Sequence, residues 1–375
     1  VLNYFTTTGE DVACRGGYAD RDGDYVTANN CDPRGAYHAD DLQRQEQKIV
    51  AAINELDATV VGLEEIENSV RFNKDRDQAL NDLVAALNAD AEYTKWAAVP
   101  SPANVPAGED VIRLAYIYQP DVVQPVGESK ILIGHEAITG TAREPLAQEF
   151  ERVDGTGETF VAVVNHFKSK GSLTNPGDED YYQGNNNRLR VEQAKATRAW
   201  VEAEYPGKPI FIIGDLNSYG AEDPILEFTN NGYTDTTTET GKYTYQFGGL
   251  VGSLDHVLAN EAAMDLVTGV DIWEINADEP IAFEYSRYNY NVKVNDLYDD
   301  GPFRSSDHDP VIVGIDLPKD SPEIPEQPEA VVEYGKWTDT TVNVEDRTVN
   351  QERTVTTTEY VWNAEAFEWE LGEPV

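Results

Sequence analysis

Polar residues able to do chemistry recur at the ends of apolar, strand-forming runs. This coupling constrains the chain more than any other feature. Glu64 and Glu65 follow VVGL at 60–63, Asn165 and His166 follow TFVAVV at 159–164, and Asp215 and Asn217 follow IFIIG at 210–214. Asp255 and His256 sit in GSLDHVL at 252–258, Asp307 and His308 open SSDHDPVIVG at 305–314, and Asn3 lies in VLNYF at 1–5. Polar groups at the mouth of a buried strand cost desolvation energy unless each has a partner. Layered α/β folds collect their sites where strands end. One such cluster reads as a solvated turn; six along one chain read as a site.

The spacing of apolar residues predicts helices over 40–57, with Leu42, Ile49, Ile53 and Leu56 on one face, over 76–89, with Leu80, Leu83, Val84 and Leu87, and over 186–204. Strands are predicted at 1–5, 60–63, 111–118, 130–133, 159–164, 210–213, 243–247, 254–258 and 311–316. Residues 6–38 form a long insertion without periodicity. Strands outnumber helices and do not alternate strictly with them, which suggests an α/β layered sandwich of mixed sheets over a doubly wound parallel sheet. LPKDSPEIPEQPEA, at 317–330, carries four prolines and reads as a stiff linker, here bounded as 318–330. Residues 331–375 alternate like two or three strands and are expected to form a small β module or hairpin, with carbohydrate, surface or partner binding all open.

The chain opens directly on VLNYF and holds a single methionine, Met264, so it is read as a mature or excised piece of a longer product. No run of 18 apolar residues exists to span a membrane. The formal charge is −41. Such a surface repels a polyanion at low salt; it suits a saline habitat, where screening shortens that reach to about 8 Å or less, a carboxylate-rich cation binder, or simply an acidic secreted protein. Cys14 and Cys31 flank one polar loop and are expected to close it as a disulfide in an oxidising compartment.

Asn, Asp and Glu oxygens suit Mg²⁺, Mn²⁺ or Ca²⁺ better than zinc, and the two cysteines lie far from the histidines in the pattern. A hard cation with two histidines suits phosphodiester hydrolysis. One histidine, oriented by a carboxylate, activates water; the other stabilises charge on phosphate. Asp20, Asp22 and Asp24 invite a second, calcium site, but Tyr25 and Cys31 stand where an EF-hand loop needs Gly and an acid.

The stretches RGAYHADDLQRQEQKIVAAI, LDATVVGLEEIEN, VIRLAYIY, VVNHFKSKGS, QGNNNRLRVEQA, GDLNSYGAEDPI, GSLDHVL, INADEP and FRSSDHDPVIVG run in order through about residue 316. Together they resemble the endonuclease/exonuclease/phosphatase superfamily, the deoxyribonuclease I-like fold, and within it secreted bacterial nucleases of the ExeM/NucH type. The resemblance implies a four-layer α/β sandwich over 1–317 with the site at one edge. It implies Asn3, Glu65 and Asp307 as ligands of Mg²⁺ or Mn²⁺, with Ca²⁺ as an alternative. It implies His308 as general base oriented by Asp255, Asp215 and Asn217 as the pair that positions water and phosphate, and His166 as phosphate clamp or proton donor. Arg113 resembles a phosphate-contacting arginine, and Asn187 and Arg190 match a motif of the secreted subgroup; Lys168 joins them. Strict alternation would point only one of Glu64 and Glu65 into the site, and the family pattern favours Glu65. The acidic partner of His166 is open between Glu109 and Asp110. His256 reads as structural and Asp309 as a loop brace. Residues 165–200 are locally net positive, as phosphate binding requires. The implied activity is secreted, metal-dependent cleavage of DNA, with RNA left open, by a monomer without membrane insertion and with little sequence preference. Rival readings are a superfamily enzyme on inositol phosphates or sphingomyelin, and an inactive fold used for adhesion or matrix binding.

Overall fold

Alternation along the buried strands builds the layers. The computed structural model describes residues 1–155, 157–290, 297–317, 327–363 and 368–374. In chain order the main elements are α1 (Ala39–Leu56), β1 (Val60–Glu67), α2 (Gln78–Ala91), β2 (Ile112–Tyr118), β3 (Val123–Ile131), β4 (Arg143–Arg152), β5 (Thr159–His166) and α3 (Asn187–Glu204). There follow β6 (Ile210–Asp215), α4 (Asp223–Thr229), β7 (Tyr233–Asp235), β8 (Tyr245–Phe247), β9 (Leu250–Gly252), β10 (Asp255–Asn260), β11 (Val267–Ile272) and β12 (Val311–Ile315).

On β5, Val161 and Val163 pack against Ala194 and Val201 of α3 and against Ile225 and Phe228 of α4. The alternate residues Ala162 and Val164 face Leu114 and Tyr116 of β2. On β2, Ala115 and Ile117 turn the other way, onto Ile49 and Ile53 of α1 and Leu80, Leu83 and Leu87 of α2. Period-two strands buried on both faces therefore produce helix, sheet, sheet, helix in succession. This is the expected four-layer α/β sandwich.

The larger sheet has six strands in the order β7-β10-β6-β5-β4-β3. Its β5–β6 pair is parallel and its other pairs antiparallel. The facing layer holds β1 and β2 with the short pair Ala97–Ala98, and separately the β11–β12 pair. A cavity of about 560 Å³ separates the edges of β1 and β12, lined also by Phe160, Ala162, Phe211 and Ile213.

The first five residues depart from expectation. Leu2 and Asn3 take left-handed backbone conformations (φ 43° and 54°), and only Tyr4 bridges, in parallel, to Ile66. The insertion after them is closed by the Cys14–Cys31 disulfide, with its Cα atoms 5.8 Å apart.

Residues Asp320–Val375 cluster as a second compact unit, distinct from Val1–Lys319. In it Val331–Tyr334 pairs with Val355–Thr358, Thr338–Asn343 with Thr348–Glu352, and Tyr360–Asn363 with Glu368–Leu371. Most of the expected proline linker, 318–326, lies outside the described residues.

Candidate active site

Strand register gathers the site. Arg143 of β4 is opposite His166 of β5, His166 is level with Asp215 of β6, and Asp215 is opposite Asp255 of β10. These four side chains extend the face that, further along each strand, carries Leu146, Val164, Ile213 and Val257 into the core between the sheets. The apolar layer thus gives way to a row of charge where β5 and β6 end. A bulge between Arg143 and Leu146 brings Arg143 onto that face.

Asp255 and Asp215 are direct cross-strand neighbours, and their protons are driven apart. Burial would raise Asp255, but the charge of His308 and its hydrogen bond outweigh this and hold Asp255 below the usual carboxylate range. Asp215 is pushed up to about 7, chiefly by burial, with Asp255 adding to the shift. The Asn217 N–H and Nδ2 amide both donate to Asp215, at 2.7 and 2.9 Å, and Asn217 sits at φ 48° to do so.

His308 donates Nδ1–H to Asp255 Oδ2 at 2.7 Å, which leaves Nε2 for chemistry. Burial alone would lower its pKa; the carboxylates of Asp255, Asp215 and Asp307 raise it well above the ordinary histidine value. The loop holding it is braced as expected. Asp309 accepts the N–H groups of Ile275, Asn276 and Ala277, and burial pushes its carboxyl to about 6. Asn276 adds a bond from Nδ2 to the His308 carbonyl at 2.7 Å.

His166 is buried and stays neutral. Burial lowers its pKa, and the Arg143 charge lowers it further. Its Nε2 lies 3.6 Å from Asp215 Oδ2, and its Nδ1 is buried without a partner. Neither expected acid serves it: Glu109 accepts from Arg76 and Asn68, while Asp110 pairs with Arg34 and Arg143.

Glu64 and Glu65 break the expectation that only one faces the site. A bulge interrupts β1 between Leu63 and Ile66, and Glu65 adopts φ 61°. Glu64 lies against Gly214, where an added Cβ would meet Glu64 Oε1 at 2.5 Å and the Asn165 carbonyl at 2.3 Å. Its carboxyl is pushed to about 8 by burial, with Asp255 and Asp215 contributing. Glu65 accepts the Asn3 N–H at 2.9 Å. Asn3 Oδ1 is buried with no protein partner. A carboxylate beside an orphaned amide oxygen fits a hard cation that keeps several waters. Among the described residues no three His, Cys, Asp or Glu side chains close around a metal by themselves.

Several assigned phosphate contacts lie elsewhere. Arg113 is buried and paired with Asp77 at 2.8 Å; burial pushes it down to about 10. Arg190 is wholly buried and donates to Ser218 and to the carbonyls of Lys168, Asn185 and Gln183, so it braces the loop before α3. Asn187 is buried with Nδ2 on Asp223. The Lys168 backbone N–H is held by Gln193, and the Lys168 side chain remains a candidate phosphate contact. Four of the six basic residues of the stretch are paired: Lys170 with Glu222, Arg188 with Asp178, Lys195 with Glu192, and Arg198 with Glu202 and Glu227. Asp20 accepts the N–H groups of Asp22 and Asp24, closing a turn. His256 is structural, held between Asp235 at 2.9 Å and the Ser218 carbonyl at 2.8 Å.

Arg143, Asn276 and Tyr245, whose ring stacks on His308 at 4.5 Å, are the site residues that sequence reasoning missed. Asn276 lies inside INADEP, a stretch already marked; the other two carry no comparable signal.

A comparison with curated proteins gives no match. Solved structures resemble the chain at low identity. An endonuclease/exonuclease/phosphatase from Bacteroides vulgatus is 15% identical, covering 73% of this chain and 91% of its own, with a TM-score of 0.47. The mannosyl-6-phosphatase Bt3783 of Bacteroides thetaiotaomicron is 15% identical over the same shares, with a TM-score of 0.45. TDP2 of D. rerio complexed with a single-strand DNA product is 14% identical, covering 74% and 93%, with a TM-score of 0.45. The Endonuclease/Exonuclease/phosphatase family model matches residues 28–308, three quarters of the chain and every strand of the charged row, and the protein belongs to that family.

Proposed function

We propose that the protein is a divalent-metal-dependent phosphodiesterase acting on DNA with little sequence preference. The family comprises hydrolases of phosphate esters that generally use divalent metals. The observation that carries the reading is the row Arg143–His166–Asp215–Asp255 with His308 docked on Asp255. It sets a base with a carboxylate orienter beside a neutral histidine and a cation, the parts that hydrolysis of a diester needs.

His308, fixed through Nδ1, takes the proton of the attacking water at Nε2, and Asp255 stabilises the imidazolium that forms. Asp215, clamped by Asn217, positions the water and the phosphate. His166, neutral, donates an N–H to a phosphate oxygen; it clamps by hydrogen bond and not by charge. Arg143 takes the phosphate-facing place that Arg113 and Arg190 vacate. Asn3, Glu65 and Asp307 would hold Mg²⁺ or Mn²⁺, which supplies charge stabilisation on the phosphate when bound. The Cys14–Cys31 disulfide supports an oxidising, extracellular setting. The test is plasmid cleavage with and without chelator: metal-dependent nicking supports the reading, and activity confined to phosphomonoesters or lipid phosphodiesters removes it.

A further inference from the structure

The hairpin of β8 and β9 stands directly on His308. Tyr245 bridges to His308 through the backbone, and the two rings stack at 4.5 Å with 29° between their planes. Phe247 continues the stack, 6.4 Å from Tyr245 and only 7° from parallel. Three rings thus form a ladder from the candidate base outward. The hairpin is tight: Tyr245 pairs with Gly252 and Phe247 with Leu250, and the turn residues Gly248 and Gly249 both have positive φ (61° and 82°). A two-residue turn of this hand requires that freedom at both positions. Gly252 lets the base of the hairpin press on Tyr219, whose Cδ1 would lie 2.6 Å from an added Cβ.

The base is therefore fixed while the tip is bare. Phe247 is 70% exposed, Leu250 75% and Val251 52%. The run YQFGGLVG at 245–252 holds no charged residue, in a chain of net charge −41. It is a neutral apolar tip beside the catalytic histidine, where a polyanion meets no carboxylate of the hairpin itself. The sequence suggested no such exposed aromatic hairpin. Attraction to anionic headgroups would call for Lys or Arg beside the apolar residues, and this hairpin has neither.

We propose that Phe247, backed by Leu250, is a stacking platform for a nucleobase next to the scissile phosphodiester. This rests on the nuclease reading above. A ring held nearly parallel to its neighbour offers an open π-face, which every base accepts, so the contact tightens binding without selecting sequence. It also supplements a basic stretch in which four of the six charges are already paired.

The test is the double variant Phe247→Ser/Leu250→Ser, with both changes at exposed positions, assayed with Mg²⁺ on a single-stranded oligonucleotide and on an abasic oligonucleotide of equal length. The expected result is a rise in KM of about tenfold on the normal oligonucleotide. On the abasic strand the gap from wild type should close, and Phe247→Trp should restore tight binding. An unchanged KM for the double variant, with wild type active on DNA, overturns the platform while leaving the nuclease reading intact. A wild type inactive on DNA overturns both. Loss of binding to phosphatidylcholine vesicles, with KM on DNA unchanged, replaces the platform by a membrane contact.

Discussion

Asp215 and Asp255 face each other across two antiparallel strands, yet one is held ionised and the other near neutrality. The difference comes from His308, which hydrogen-bonds Asp255 and raises its own basicity in doing so. A base of raised pKa must lose its proton before it works, so the acidic limb of the kcat–pH profile should lie above the ordinary histidine value of about 6.5. Asp255→Asn should move that limb to lower pH and cut kcat at least tenfold; an unmoved limb would separate Asp255 from the titration. His256 shows the structural counterpart. Burial lowers its pKa, but the Asp235 hydrogen bond and charge win, so the folded value is raised. Its stabilisation is complete below the unfolded pKa near 6.5 and is lost as pH rises through the folded value. His256→Gln should therefore cost about 2 kcal/mol in urea unfolding at pH 5.5 and less at pH 9. Two arginines should behave differently. Arg190→Met removes a buried brace and should lower stability by about 2 kcal/mol or more. Arg143→Met loses the ion pair with Asp110, which Arg34 also holds, so it should cost less stability than Arg190→Met and chiefly raise KM.

At the scale of elements, the strands that carry His166, Asp215 and Asp255 were legible because each is an apolar run with polar residues at its end or, for Asp255, at its start. β4 was not. REPLAQEFER mixes charges with Ala and Gln, so no period of two stands out, although Ala147 and Gln148 are wholly buried between flanking strands. Missing β4 meant missing Arg143. The phosphate contacts assigned to Arg113 and Arg190 failed for a related reason: sequence gives charge but not which partner absorbs it. Strict alternation likewise failed at Glu64 and Glu65, because a bulge with a left-handed residue resets the face. Packing makes its own prediction here. The cavity between β1 and β12 is bounded by Ala162. Ala162→Leu should fill part of it and raise stability by about 1 kcal/mol in urea unfolding; a loss would show that the cavity does not persist in solution.

The whole molecule sets a strongly acidic surface around a small site with its own internal charge balance. Within that surface the register row gathers its titratable side chains at one edge of the sandwich, and the family match extends across all of its strands. Four layers and the active edge could be anticipated from buried runs and their polar ends. The neutral hairpin could not, because exposure of Phe247 and Leu250 is a property of the fold and not of their type. The measurement that tests the central claim most directly is supercoiled plasmid incubated with wild type and His308→Ala, in Mg²⁺ or Mn²⁺ and in chelator. The account predicts nicked or degraded DNA for wild type with metal, none with chelator, and a loss of at least a hundredfold for His308→Ala. Equal cleavage by the two proteins, or cleavage that persists in chelator, would contradict it.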